Sequence, residues 1–434
     1  MSFKMSTVAY IPTPILGDFE QLTEQMRAIQ NGEPSEIIIQ HWLNLCFKKI
    51  KTPIPDFATN DYQWALQFLY IYRGSLDTFT SYRRDLERLL QWSWFIQHQS
   101  CLNHTRDDME TFIEFCQKPS KRWINFKRVA RFKMHKGELQ PNSEWRPFTA
   151  HVTKQEHLDG LMPQKEQYQY SQSALKVMFG ILSSFYSYLV QEQQIPLNPL
   201  IAMRQKSKFF QTQPKTQQIR RLSNTQWETV IDLVKQQADQ DVRHERTLFI
   251  LSCLYGMYLR ISELVADTRW TPTMGDFFKD NDENWWFKTV SKGNKARQIA
   301  VSDAMLEALQ RYRVNYLKLS PFPTLNESTP LVAHNHLKST LPITSDRPIR
   351  TLVQNCFNQA AEYLNEKGQC EEAHNLRIAT VHWLRHTGIS EDVKHRPREH
   401  VRDDAGHGSG ATTDKYIDVE LRERAKSAKT KTIL

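Results

Sequence analysis

Long apolar runs are missing from this 434-residue chain: none approaches the roughly 18 residues of a membrane helix. The first twenty residues, MSFKMSTVAYIPTPILGDFE, have too few basic residues and too many prolines for a secretory signal. These two absences lead to the expectation of a protein that stays in the cytoplasm. Cysteine is sparse as well. The six (46, 101, 116, 253, 356, 370) are scattered without a C-x-x-C pair, which indicates neither a disulfide framework nor a cysteine zinc site. No internal repeat or low-complexity tract interrupts the chain. With 40% apolar and 24% charged residues it reads as an ordinary globular protein, too long for one core and expected to form two or three domains.

Acidic residues are absent from two stretches. Lys118 to Lys136 (KPSKRWINFKRVARFKMHK) carries eight basic residues and no acid, interleaved with Trp123, Phe126 and Phe132. Arg204 to Arg221 (RQKSKFFQTQPKTQQIRR) carries six and no acid. A net charge of +9, from 57 Lys+Arg against 48 Asp+Glu, is by itself a weak pointer to nucleic acid. Two acid-free blocks with aromatics point more firmly to a surface that tracks phosphates, with Lys127, Arg128, Arg131, Lys133, Arg220 and Arg221 as the expected contacts.

Periodicity predicts helices at 35–49, 62–95 (N-capped by Asp77 or Thr78), 107–117 and 171–194, the last ending before Pro196 and Pro199. Residues 1–56 read as an N-terminal extension of unassigned role, 57–203 as a helical domain with a basic insertion at 118–165, and 204–222 as a basic linker. Ser223–Gln226 is a capping box that opens a domain at 223–434. There, helices are expected at 224–239, 243–256, 261–267, 303–317, 349–367 and 376–392. WWFKTV (285–290) and RQIAV (297–301) flank a Gly-Asn turn and predict a hairpin.

H-W-L-R-H (382–386) sets two histidines one turn apart, the spacing of a zinc protease motif. The arginine before the second histidine repels a divalent cation, and no third ligand has suitable spacing. A guanidinium beside imidazoles suits an oxyanion, above all a phosphate, better than a metal. Arg260 in YGMYLRISELVAD is costly to bury unpaired, and Glu263 is its nearest partner. Lys292 tops the predicted hairpin. His407 lies among glycines, and Tyr416 follows nine residues later.

In this order the segments YGMYLRISEL, VSKGNKARQIAV, HWLRHTG and AGHGSGATTDKYIDV resemble the catalytic domain of the tyrosine recombinases, the family of phage integrases and Xer resolvases. Upstream, Thr78, Tyr82, Asp85 and Leu86, with Asn198-Pro199 closing the domain, are similar to that family's core-binding domain. The resemblance covers about residues 60–434. It implies a mainly α fold with a small antiparallel β-sheet in the catalytic domain, which with the core-binding domain forms a C-shaped DNA clamp. It also implies attack of Tyr416 on a DNA phosphodiester, giving a 3′-phosphotyrosyl intermediate. Arg260 and Arg385 would hold the phosphate oxygens, His382 and His407 would assist, and Lys292 would protonate the departing 5′ oxygen. Glu263 and His386 would support, the latter mainly through packing.

No metal or cofactor is implied. The partners implied are double-stranded DNA sites and a homo-tetramer on two duplexes, associated with the nucleoid, and the added segments lean towards integration or excision of a mobile element. Asp403-Asp404-Ala405-Gly406 departs from the family's apolar lead into His407. The competing readings are a type IB topoisomerase, a telomere resolvase, or a non-catalytic DNA-binding protein on the same fold.

Overall fold

The computed structural model describes residues 10–50, 52–201, 203, 220–291, 295–334, 341–414, 416 and 428–429. The chain divides into two compact units, Met1–Lys215 and Thr216–Leu434. Their boundary falls inside the expected linker. Residues 204–219 of that linker lie outside the described residues, as does most of the tail beyond Tyr416.

The first unit is built on helices α1 (Phe19–Gln30), α2 (Ser35–Phe47), α3 (Ala58–Ile71), α4 (Leu76–Trp92) and α5 (Arg106–Gln117). Asp18 caps α1 and Thr105 caps α5, each in a reciprocal capping box with the third helical residue. The single helix expected over 62–95 is two. The chain turns between Ile71 and Leu76, and α4 starts after Ser75 rather than at Asp77 or Thr78.

The described part of the segment read as an extension, 10–50 and 52–56, packs into the first unit. Leu22, Met26, Ile39, Leu43 and Phe47 are buried in the same core as Leu66, Leu86 and Leu89. The buried carboxylate of Glu87 on α4 holds this segment in place, accepting from the Ile15 and Leu16 amides at 2.7 and 3.0 Å.

The basic insertion folds as β structure, which helical reasoning missed. Strands β1 (Ile124–Asn125) and β4 (Phe148–Thr149) pair in parallel, and β2 (Phe132–His135) pairs antiparallel with β3 (Glu138–Pro141). Lys136 and Gly137 both have positive φ at the β2–β3 turn, a conformation whose twist matches a two-stranded ribbon. Short helix α6 (Lys154–Leu158) follows, then α7 (Gln172–Gln191). Contrary to the expectation from the sequence, α7 is long and apolar enough to cross a membrane by length and composition. Its Leu175, Met178, Leu182, Phe185 and Leu189 are buried in the unit's core. Asn198 closes the unit, donating to the Ser183 carbonyl at 2.9 Å and accepting from the Leu200 amide at 2.9 Å.

The second unit surrounds α9 (Glu245–Gly256), whose Leu248, Phe249, Leu251 and Leu254 are all buried. Around it stand α8 (Asn224–Gln240), opened by the Ser223–Gln226 capping box, and a sheet of β5 (Phe277–Lys279), β6 (Trp285–Ser291) and β7 (Lys295–Ala300). The sheet is antiparallel in that order, one strand more than the hairpin expected. Next come α10 (Asp303–Arg311), α11 (Arg347–Glu366), α12 (Cys370–Ile378), α13 (Val381–Asp392), α14 (Arg398–Ala405) and α15 (Gly410–Asp414). The helix expected over 376–392 is thus broken at Ala379-Thr380. That expected over 261–267 shrinks to the single turn Ile261–Glu263.

Candidate active site

A close approach of α13 to the end of α9 assembles the site. A Cβ on Gly388 would run into the Tyr255 carbonyl oxygen, so only glycine lets the two backbones meet there. One turn earlier on α13, the buried Arg385 donates to the carbonyl of Tyr258 and, at 2.6 Å, to that of Ala405. Tyr258 itself has φ +49°, a left-handed kink after α9 that releases the chain into extended backbone at Arg260. Arg260 therefore lies in extended backbone between α9 and the turn Ile261–Glu263. It stands at the mouth of a turn, partly exposed.

Glu263 ties the basic groups together. Nearly fully buried, it accepts from the Arg260 amide (2.7 Å) and Nη1 (3.0 Å), and from Arg297 Nη1 (3.0 Å) and Nη2 (2.9 Å). Burial alone would raise its carboxyl. Arg297, the Arg260 amide and the guanidiniums of Arg260 and Arg385 outweigh that and hold it below the ordinary range.

Arg297 on β7 is the residue that sequence reasoning missed. A signal was there: it alternates with buried Ile299, so it shares the inward face of its strand. Gly406, at φ +63°, ends α14. A Cβ there would lie 2.8 Å from Arg297 Cδ, so this glycine serves both the backbone turn and the arginine.

The last segment brings the remaining side chains. His407 Nδ1 is 2.9 Å from Thr413 Oγ1, and its ring stacks on that of Tyr416, with centroids 5.5 Å apart at 15°. The Tyr416 hydroxyl lies 2.6 Å from Nδ1 of His386. His386, expected to serve mainly through packing, thus touches the tyrosine oxygen. His382 is exposed, its ring 6.4 Å from that of His386.

Burial and a surplus of arginine set the protonation states. Burial, then Arg385, Arg260 and Arg297, push His407 down to about 4. Burial, then His382 and Arg385, do the same to His386. His382 is also lowered, by burial and then by Arg350, Arg385 and Arg260. Burial raises the Tyr416 phenol above its ordinary value, while Arg385 and Arg260 pull it back. Burial and its arginine neighbours lower Arg385 to about 9, so it remains a cation at neutral pH. Three guanidiniums face the one carboxylate of Glu263, a surplus of positive charge, with the imidazoles neutral. Asp404 also acts on Arg297, while pairing at 2.5 Å with Arg396, which Asp392 shares.

Lys292 lies outside the described residues. Among the described residues no group of three or more His, Cys, Asp or Glu is placed to hold a metal ion.

The expected DNA contacts separate into two groups. Lys127, Arg128, Lys133 and Arg220 are exposed, and Arg221 is half-buried. Arg131 belongs elsewhere. It forms an ion pair with buried Glu87, donates to the Leu16 carbonyl at 2.9 Å and lies over the Trp145 ring. These contacts tie the N-terminal segment to α4 and turn the guanidinium inward.

No protein-family model matches the chain, and no curated protein matches it. Among solved structures, the chain is similar to the XerH site-specific recombinase in a post-cleavage complex with a palindromic difH substrate, with 13% identity over 96% of this chain and 99% of that one and a TM-score of 0.49. It is similar to lambda integrase in a dimer bound to a COC′ core site, with 12% identity, coverage of 92% and 90%, and a TM-score of 0.47. A Tn1549 transposon integrase with circular intermediate DNA shares 15% identity over 86% of this chain and 99% of its own, at a TM-score of 0.47. At such identities and TM-scores, the chemistry of this chain has to be argued from its own side chains.

Proposed function

We propose that this protein is a tyrosine recombinase that cuts and rejoins DNA through Tyr416. One observation carries the reading: the buried Tyr416, its hydroxyl 2.6 Å from His386 Nδ1 and its ring stacked on His407, stands beside Arg385 and Arg260 in a cluster with surplus positive charge. Such a cluster attracts an anion, and a phosphodiester held there meets an oxygen nucleophile. Arg260 and Arg385 clamp its non-bridging oxygens and stabilise the charge that builds at phosphorus during attack. Glu263 and Arg297 fix Arg260 in place. Attack by the Tyr416 oxygen forms a 3′-phosphotyrosyl bond and releases a 5′ hydroxyl, whose proton Lys292 supplies. The bond energy is kept in the covalent link, so rejoining needs neither nucleotide nor metal. His407 aligns the phenol by stacking, and His382 serves the same phosphate.

The exposed Lys127, Arg128, Lys133 and Arg220 track the backbone of duplex DNA. Four protomers act on two duplexes at the nucleoid, integrating or excising a mobile element.

The test is suicide-substrate trapping on a nicked duplex, drawn by binding to this protein from a random-sequence pool. A covalent protein–DNA band that survives EDTA and vanishes in Tyr416→Phe is the expected result. Specific binding with no band would leave a DNA-binding protein without catalysis. Relaxation of supercoils without sequence preference would favour a type IB topoisomerase.

A further inference from the structure

Tyr416 must lose a proton as it attacks, and three histidines stand near it. Geometry separates them. His407 faces the phenol ring with its π surface, and its Nδ1 is turned to Thr413 Oγ1. The ring of His382 is one helical turn away from that of His386. Only His386, among the described residues, has a ring nitrogen in hydrogen-bond contact with the phenol oxygen, Nδ1 at 2.6 Å. We propose that His386 is the catalytic base of the cleavage step, taking the Tyr416 proton on Nδ1, and the acid that returns it on rejoining. This rests on the recombinase reading above.

The balance is simple. The phenol O–H proton moves to Nδ1, and a lone pair on the tyrosine oxygen forms the new P–O bond. The P–O5′ bond breaks with its pair on the 5′ oxygen, which takes a proton from the Lys292 ammonium. On rejoining, the 5′ hydroxyl attacks and returns its proton to the Lys292 amine, the tyrosine oxygen leaves with the P–O pair, and His386 reprotonates it.

The DNA-free site holds this chemistry back. Burial keeps the proton on the phenol and keeps His386 neutral, with its acidity set at about 4 by burial, His382 and Arg385. The groups facing the imidazole are His382 and Arg385 on its own helix, and His407 and Tyr416 across from it. All but Tyr416 are cationic or neutral, so each disfavours an imidazolium or leaves it unsupported. A bound phosphodiester reverses that: it adds negative charge beside the ring and answers the arginines. Proton transfer then becomes favourable when a phosphorus atom is there to receive the oxygen.

The experiment measures adduct formation by His386→Gln on nicked duplexes selected as above. One carries the natural 5′ oxygen at the scissile bond and a second a bridging 5′ sulfur, which leaves without a proton. We expect a loss of roughly 10²–10⁴-fold, the usual contribution of a general base. DNA binding should be retained, the sulfur should not rescue the loss, and the residual rate should climb with pH as the phenol ionises by itself. Rates within a few-fold of the wild type would overturn the proposal, as would full rescue by sulfur, which would put His386 on the leaving group. A parallel fall in binding and cleavage with an unchanged pH profile would make the role structural and overturn it too.

A measurement on the DNA-free wild type needs no active variant. The ¹⁵N signals of His386 should report the Nε2–H tautomer, and an Nδ1–H tautomer would refute the assignment. Should the wild type form no Tyr416-dependent adduct on any duplex it binds, the recombinase reading fails and this one with it. An adduct from wild type with undiminished His386→Gln sinks only the base.

Discussion

Replacing Glu263 by glutamine keeps the shape of the side chain and removes the charge on which two arginines converge. The carboxylate accepts four hydrogen bonds between 2.7 and 3.0 Å, two on each oxygen. An amide offers one acceptor oxygen, so two of the four are lost, and an N–H is turned towards donors. At about 1.5–3 kcal/mol for each hydrogen bond to a charged group, the loss is about 3–6 kcal/mol. The cost of breaking a buried ion pair from one side, about 3–5 kcal/mol, agrees. Arg297 is buried beside Glu263 and cannot rehydrate, whereas Arg260 is partly exposed and recovers some of its share. The expected destabilisation is therefore near the lower end, about 3 kcal/mol, a large part of the roughly 5–15 kcal/mol that holds a domain together.

Because the chain has two units, hydrogen exchange is the assay that localises the effect. Protection should fall in β7 and α14 and stay unchanged in α4 and α7. The pH dependence has a definite sign. A carboxyl held below its ordinary value of 4.5 stabilises the fold above that pH and loses its contribution as pH falls through the lower folded value. The gap between wild type and variant should therefore close in acid. A double-mutant cycle with Arg297→Gln should return a coupling of about 0.5–3 kcal/mol. Unchanged protection in β7, or zero coupling, would refute the claim that Glu263 organises the cluster.

Gly388→Ala sets a methyl group against the Tyr255 carbonyl. The unit should lose about 1–3 kcal/mol in thermal unfolding, and cleavage should fall further as Arg385 is moved away from Arg260. Wild-type stability with full activity would mean that α13 and α9 do not meet so closely. The basic block gives a paired test. Neutralising Lys127 and Arg128 should lower the slope of log affinity against log salt by about 1.8, from about 0.9 for each phosphate contact, with folding intact. Arg131→Gln should leave that slope alone and destabilise the first unit by about 3–5 kcal/mol, because it strips buried Glu87 of its cation.

The contrast between Arg131 and its neighbours shows where the sequence was legible. Charge runs report a composition, and nothing in KRVARFK distinguishes the residue facing solvent from the one folded back. That depends on Glu87, 44 residues away, and on an N-terminal segment whose helix α1 gave no recognised signal. The helices that could be read were those with local causes: the Ser223–Gln226 capping box, the acids opening α5 and the apolar stripe of α7. The breaks within 62–95 and 376–392 could not be read, because apolar periodicity runs across a turn that tertiary packing imposes.

In the site, the order of Arg260, His382, Arg385, His407 and Tyr416 along the chain raised the candidates, and their roles depend on direction. His382 and His386, an i to i+4 pair, share one face of α13, while Arg385 beside them points elsewhere. Here His386 reaches the phenol, whereas Arg385, one residue earlier, is turned to the Tyr258 and Ala405 carbonyls. Arg297 went unnoticed for the opposite reason. A charged residue in a hairpin strand is ordinarily a solvent-facing one, and only the buried carboxylate of Glu263, 34 residues back, makes an inward arginine affordable. The surplus of positive charge comes from that inward turn. With Glu263 shared between two arginines and Arg385 hydrogen-bonded to carbonyls, the cluster keeps a surplus of positive charge, which on the recombinase reading an incoming phosphate would answer.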